Sequence, residues 1–192
     1  MTPLLLRDGV ELDDPLVLAL GFLEAYPVSG PDARPSSFDE YDLRLANRGG
    51  ARISGAQIAG ILDRRRRIER VLRQIPPDAS LAARSVPWEP LARLFGCFAE
   101  IPGVGFSKAT KALHPKRPAL IPMLDSVVQA YLPPPPPEAF ADQAIALTRA
   151  YKRDLDRNRV VLRELKRELA RRGYELTEVR LLDVLIWSLG SV

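Results

Sequence analysis

Cysteine and histidine each occur once in this chain, as Cys97 and His114. One cysteine excludes an intrachain disulfide framework, a zinc finger and a cysteine-held iron–sulfur cluster. One histidine leaves any Ser-His-Asp triad to His114, which precedes Pro115 and has no nucleophile motif nearby. No apolar run approaches the roughly 20 residues needed to span a bilayer. The opening, MTPLLLRDGVELDD, turns acidic after three leucines and does not continue as a secretory signal. No metal-ligand or cofactor motif is found. The expectations are therefore no metal, no cofactor, no membrane contact and a reducing, cytoplasmic setting. Strand signals are missing too: nothing alternates at period two between turn residues, and no repeat of fixed length occurs. The expected fold class is all-α.

What is present is ordinary in bulk. The 192 residues are 46% hydrophobic and 27% charged, which fits one globular α-helical domain over 1–192, with two small lobes around a shared core as the variant. The net charge of +4 permits nucleic-acid binding, and its distribution matters more than its sum.

Helical periodicity marks the elements. Asp14-Pro15 looks like a cap and first-turn proline for a mostly apolar, buried helix from Leu16 to Tyr26. Pro27 to Ser37 reads as a surface loop, and a short helix follows from Phe38 to Ala46, broken at Gly49-Gly50. Ser54 can cap a helix in which Ile58, Ile61, Leu62, Ile68, Val71, Leu72 and Ile75 recur at three- and four-residue steps, stopped by Pro76-Pro77. Arg64 to Arg67 lie inside it. Four consecutive residues spread over about 300° of helix, so they cannot form one flat patch. A solvated face with snorkelling stems is weighed above a DNA contact. Trp88 to Glu100 and Phe106 to Leu113 form two helices around Ile-Pro-Gly-Val-Gly, and Ser126 to Leu132 forms a short one. Pro133 to Pro137 is a stiff polyproline connector. Glu138 to Arg172 reads as one long helix whose seam includes Leu155, Asn158, Leu162, Leu165 and Leu169. It is either a coiled-coil seam with a polar Asn158 or, as favoured here, a helix packed across its own domain, with a monomer favoured over a dimer. Thr177 can cap a last helix that is apolar around most of its circumference and belongs in a core.

The most informative stretch is 101–125, IPGVGFSKATKALHPKRPALIPMLD. No acid lies between Glu100 and Asp125, while Lys108, Lys111, Lys116 and Arg117 do. Gly103 and Gly105 permit positive φ and a close approach to the backbone. Pro102 fixes the entry to the turn, and Val104 can point inward to tie the two helices together. A glycine-opened helix N-terminus followed by Ser107, Lys108 and Lys111 suits a phosphate, since its free N–H groups and its dipole both favour an anion. Such a site binds backbone, so it should be sequence-independent and salt-sensitive. The alternative is a purely structural interhelical turn.

Residues 94–113, with IPGVG, Ala109 and Leu113, resemble a helix-hairpin-helix DNA-binding motif. The hairpin is followed by Asp125 twenty residues after Gly105, through the text Ile-Pro-Met-Leu-Asp-Ser-Val-Val. That combination resembles the helix-hairpin-helix superfamily of DNA base-excision glycosylases, in its endonuclease III and adenine glycosylase branches. The resemblance covers roughly 88–132. It implies a helical bundle of that type and DNA as partner, contacted by Pro102, Gly103, Val104, Gly105, Ser107, Lys108 and Lys111, with a monovalent cation at the hairpin as a further option. It also implies that Asp125 is the catalytic carboxylate, stabilising positive charge on the sugar of an everted nucleotide and orienting water. Bifunctional members carry a lysine where this chain has Ser107, so the match is to monofunctional glycosylases. Val127 stands where active members often have histidine, and the branch-specific cysteine cluster is absent. Tyr41, Asp42, Asn47 and Trp88 are weighed as pocket liners and read as structural. SKATKALHPKRPALIPMLDSVV and LTEVRLLDVLIWS also resemble an uncharacterised actinobacterial family of unknown function.

Asp125 has a second explanation. Asp-Ser before Val-Val-Gln-Ala is a good helix N-cap, and a cap also holds a carboxylate rigidly. Three functions stay open: base excision from DNA, a non-catalytic helix-hairpin-helix DNA-binding module, and an interaction protein that uses the 138–172 helix.

Overall fold

The computed structural model describes residues 3–26 and 34–190. Most of them are helical. The expectation of no strand is corrected at the N-terminal end, where Leu4–Leu5 (β1) and Glu11–Leu12 (β2) pair antiparallel, Leu4 opposite Leu12. Two-residue strands are too short to show a period, and side chains far along the chain hold them. Asn158 accepts from Leu5 N–H and donates to Leu5 C=O, both at 2.8 Å. The Tyr131 hydroxyl accepts from Arg7 N–H at 2.8 Å and donates to Asp154 at 2.9 Å.

Pro15–Ala25 (α1) is capped by Asp14, which accepts from Val17 N–H at 3.3 Å. It is one-sided where a buried helix was expected: Pro15, Ala19 and Leu23 are buried, while Val17 is 62% exposed. The expected 27–37 loop lies outside the described residues over 27–33. Glu40–Arg48 (α2) begins two residues later than its apolar pattern suggests, because Asp39 and Asp42 form a reciprocal capping box there.

The single helix expected after Ser54 is two, Gly55–Leu62 (α3) and Arg65–Leu72 (α4). The chain turns at Asp63–Arg64, and Arg64 reaches across to donate to the carbonyls of Cys97 and Ala99. The same contacts shorten the next helix. Trp88–Gly96 (α5) ends four residues before Glu100, because carbonyls beyond Gly96 bond to Arg64 and not to a further turn. Phe106–Leu113 (α6) and Ser126–Tyr131 (α7) follow.

The long helix expected over 138–172 is also divided, into Phe140–Arg157 (α8) and Arg159–Arg171 (α9). Asn158 sits at the break with φ −98° and ψ 12°. Its side chain is buried and committed to β1, so the polar seam residue is an intramolecular clamp. Leu155, Leu162, Leu165 and Leu169 are all at most 1% exposed, which consumes the seam within the chain. Glu178–Gly190 (α10) follows Thr177, whose hydroxyl accepts from Arg180 N–H and donates to Pro118 C=O.

α10 packs on α1, α7 and α9; α5 packs on α4 and α8; α2 packs on α6. One continuous apolar cluster joins all of these layers. Among the described residues no helix is long and apolar enough to cross a membrane.

Candidate nucleic-acid interface

Of the two glycines in the turn between α5 and α6, Gly103 takes the positive φ expected of both and Gly105 does not. Gly103 has φ +73°, and a Cβ there would meet the Gln57 amide nitrogen at 2.5 Å. Gly105 is the N-cap of α6 with φ −94° and ψ −173°, extended backbone open to any residue, and a Cβ added there would have nothing within 4 Å. Pro102, Gly103 and Gly105 are exposed; Val104 is buried and its N–H donates to Ile101 C=O at 3.0 Å. No side chain caps α6. The N-termini of α1, α2, α3 and α7 are capped by Asp14, Asp39, Ser54 and Asp125. The N–H groups of Phe106, Ser107 and Lys108 are thus first-turn donors with no side-chain acceptor supplied by their N-cap.

α3 braces this turn. Gln57 donates to Pro102 C=O at 3.2 Å and accepts from Lys108 Nζ at 2.8 Å. Lys111 Nζ donates to Gly49 C=O at 3.1 Å, at the end of α2. Two acid-free stretches, 43–62 and 101–124, therefore meet around the hairpin. Arg48 and Arg52 are exposed on the first, and neither makes an ion pair among the described residues. Lys116 and Arg117, counted with the hairpin bases by sequence, belong to the interior. Lys116 pairs with Asp42 at 2.7 Å, both nearly fully buried. Arg117 is 0% exposed and donates to the carbonyls of Leu72, Ile75, Pro35 and Lys116. A guanidinium fork fits converging carbonyls, so Arg117 ties the end of α4 to the loop after α6.

Asp125 caps α7 as its sequence suggests: Oδ1 accepts from Val128 N–H at 3.1 Å. Oδ2 accepts from the Trp187 indole N–H at 2.7 Å, and the residue is only 6% exposed. The strap leading to it is tied to α6, where Leu124 N–H donates to Thr110 Oγ1 at 3.0 Å. Hairpin and carboxylate thus share one rigid unit, but the carboxylate lies under Trp187 and does not face open solvent. Nothing near Asp125 in the sequence points to Trp187. The one hint is that a tryptophan in an apolar helix needs a partner for its N–H.

Near Asp125 lie Asp183, Tyr151 and Arg180, polar side chains that sequence reading overlooked. Asp183 on α10 is 1% exposed; its Oδ2 accepts from Met123 N–H at 3.3 Å, and among the described residues its Oδ1 accepts no hydrogen bond. The neighbouring Tyr151 hydroxyl gives its proton to Val179 C=O at 2.6 Å. Burial pushes the Asp183 carboxyl up to about 7, against the pull of the Arg180 cation. Burial pushes His114 down to about 4 and keeps it neutral, with Nδ1 against Ile121 C=O at 2.6 Å. Arg180 lies over the Phe22 ring, which meets the Trp187 ring edge-on at 6.4 Å.

The residues weighed as pocket liners do not gather here. Asp42 pairs with Lys116, Asn47 bonds both Ile53 backbone groups, and Trp88 and Tyr41 lie under Arg149 and Arg34. Among the described residues no cluster of His, Cys, Asp and Glu suits a metal ion. Cys97 is buried, with its thiol pushed up by burial, so it is a core residue and not a nucleophile.

No curated protein and no solved structure matches the chain. A family model does match, over residues 22–190, which span the hairpin, Asp125, Asp183 and Trp187, and the chain accordingly belongs to that family, a family of unknown function (DUF6308).

Proposed function

We propose that this protein binds the phosphate backbone of duplex DNA through the 102–111 hairpin, in a bundle of the helix-hairpin-helix glycosylase type. The observation that carries this reading is the uncapped N-terminus of α6, opening on Gly103 and Gly105 with Lys108 and Lys111 behind it. Orphan N–H groups and the positive end of the helix dipole favour an anion. The absence of acids from 43–62 and 101–124 keeps the surrounding field positive. Backbone contact of this kind ignores sequence and weakens steeply with salt.

Gly105→Asp tests it. An N-cap aspartate satisfies the first-turn donors of α6 and stabilises the helix by a few tenths of a kcal/mol. It also sets a negative charge where the phosphate would sit. The expected outcome is an unchanged or raised Tm with duplex affinity lost, measured by fluorescence anisotropy at 50 mM salt. Unaltered affinity refutes the hairpin as the contact.

Base excision at Asp125 is the second reading, favoured by one observation: a carboxylate fixed by two donors and tied through Leu124 to the hairpin helix. On this reading Trp187 swings off Asp125 when a nucleotide is everted, and the freed oxygen faces the sugar as its glycosidic bond breaks. Abasic-site formation over a panel of damaged duplexes should be lost in Asp125→Asn. Product that persists in that variant removes Asp125 from the chemistry.

A further inference from the structure

α4 carries more unrelieved positive charge than a solvated face needs. Its sequence with flanks, Arg64 to Arg73, holds six arginines against one acid, Glu69. Glu69 is taken by Arg65 at 3.0 Å and by Phe38 N–H at 3.0 Å, and Arg64 is spent on the Cys97 and Ala99 carbonyls. Arg66, Arg67, Arg70 and Arg73 are exposed, and their side chains make no ion pair or hydrogen bond among the described residues. The arginines sort themselves once the helix is seen as short. Ile68, Val71 and Leu72 face the core. Arg66, Arg70 and Arg73 fall within about 60° of one another on the opposite side, with Arg67 beside them.

This arrangement works against the helix that carries it. Residues three and four apart are neighbours, so Arg66–Arg70 and Arg70–Arg73 repel. Arg65, Arg66 and Arg67 also fill the first turn, where the dipole disfavours cations, and no acid or side-chain cap offsets them. A bound polyanion removes both penalties together. From Arg66 to Arg73 the row runs about 10 Å along the axis, the length of about three base-pair steps of duplex at 3.4 Å of axis each. The row also adjoins the hairpin: Arg64 holds the two carbonyls just before Glu100, and Gly60 of α3 packs against Ile101.

We propose that Arg66, Arg67, Arg70 and Arg73 form a second phosphate-binding track for nucleic-acid backbone, separate from the hairpin. The identity of the ligand as DNA rests on the hairpin reading, while the track itself rests on the charge row. Arg66→Gln/Arg70→Gln/Arg73→Gln keeps helix propensity and removes three charges. With a fluorescent duplex, the slope of log K against log salt should become shallower by about 2 to 3, at about 0.9 per lost phosphate contact. Affinity at 100 mM salt should fall at least tenfold, while Tm stays level or rises because the repulsion is gone. A merely structural row would instead lower Tm and leave the slope alone.

Three other outcomes keep the two ideas apart. A triple variant with wild-type affinity and slope, beside a Gly105→Asp that fails to bind, overturns the track and leaves the hairpin standing. Binding lost in the triple but kept in Gly105→Asp upholds the track and overturns the hairpin. No duplex binding by the wild type at 50 mM salt, or binding to anionic vesicles only, overturns both.

Discussion

At the scale of single residues, the most consequential feature is Asp183, a buried carboxylic acid with one oxygen that accepts no hydrogen bond among the described residues. Its folded-state value of about 7 lies above the ordinary 3.8. The folded state therefore holds this proton more tightly than the unfolded chain does. The stability it contributes is fully present below pH 3.8 and is lost as pH rises through about 7. His114, at about 4 against 6.5, works in the opposite sense, because stability falls as pH drops from 6.5 towards 4. Asp183→Asn should abolish the loss between pH 3.8 and about 7, a difference on the order of a few kcal/mol by denaturant titration. A pH profile in the variant that parallels the wild type would show that Asp183 ionises freely. Neither residue advertised this. A sequence records that Asp183 lies among apolar neighbours, but not that Met123 of the strap before α7 and Tyr151 of α8 lie against it. Asp125 was partly legible, since Asp-Ser before an apolar run is a cap signal, whereas its second partner, Trp187, sits 62 residues away. Lys116 and Arg117 show the converse error. Charge counting put them with the hairpin bases, and burial put them in the core, because carbonyls and Asp42 were in reach.

At the scale of elements, α6 and the turn before it were the best read, since glycine, proline and apolar spacing are local signals. The helices misjudged in length fail for a shared reason. α3–α4, α5 and α8–α9 each break where a side chain makes a long-range contact: Arg64 to the Cys97 and Ala99 carbonyls, Asn158 to Leu5. Periodicity continues across such breaks because the apolar face continues. Asn158→Ala removes both bonds to Leu5, part-buried ties of the ribbon to the helices, at a cost of about 1 kcal/mol for each bond lost. Hydrogen exchange should show the Leu5 amide losing protection first, with the α10 amides still protected. Equal loss at both sites would mean that the ribbon does not unfold separately.

At the scale of the whole molecule, the net charge of +4 conceals how the charge is arranged. Acid-free segments meet at the hairpin, while the acids of the later helices pair locally, as Asp156 does with Lys152 and Arg159, and Glu168 with Arg171 and Arg172. No summed charge reveals that segregation, which depends on α2 packing against α6. On the hairpin proposal, duplex DNA at 100 times its Kd raises stability by about 2.7 kcal/mol, and the rise in Tm disappears at 1 M salt, where screening reaches within about 3 Å. A shift that survives such salt would point to a ligand held by something other than charge.

The family match begins at residue 22, inside α1, yet the ribbon ahead of it is stitched to the interior by Asn158 and Tyr131. Trimming the gene to that boundary would sever a helix midway and strip the Asn158 amide and the Tyr131 phenol of their Leu5 and Arg7 backbone counterparts. A fragment cut there should be expected to precipitate on expression, and its silence in any binding assay would say nothing about the intact molecule.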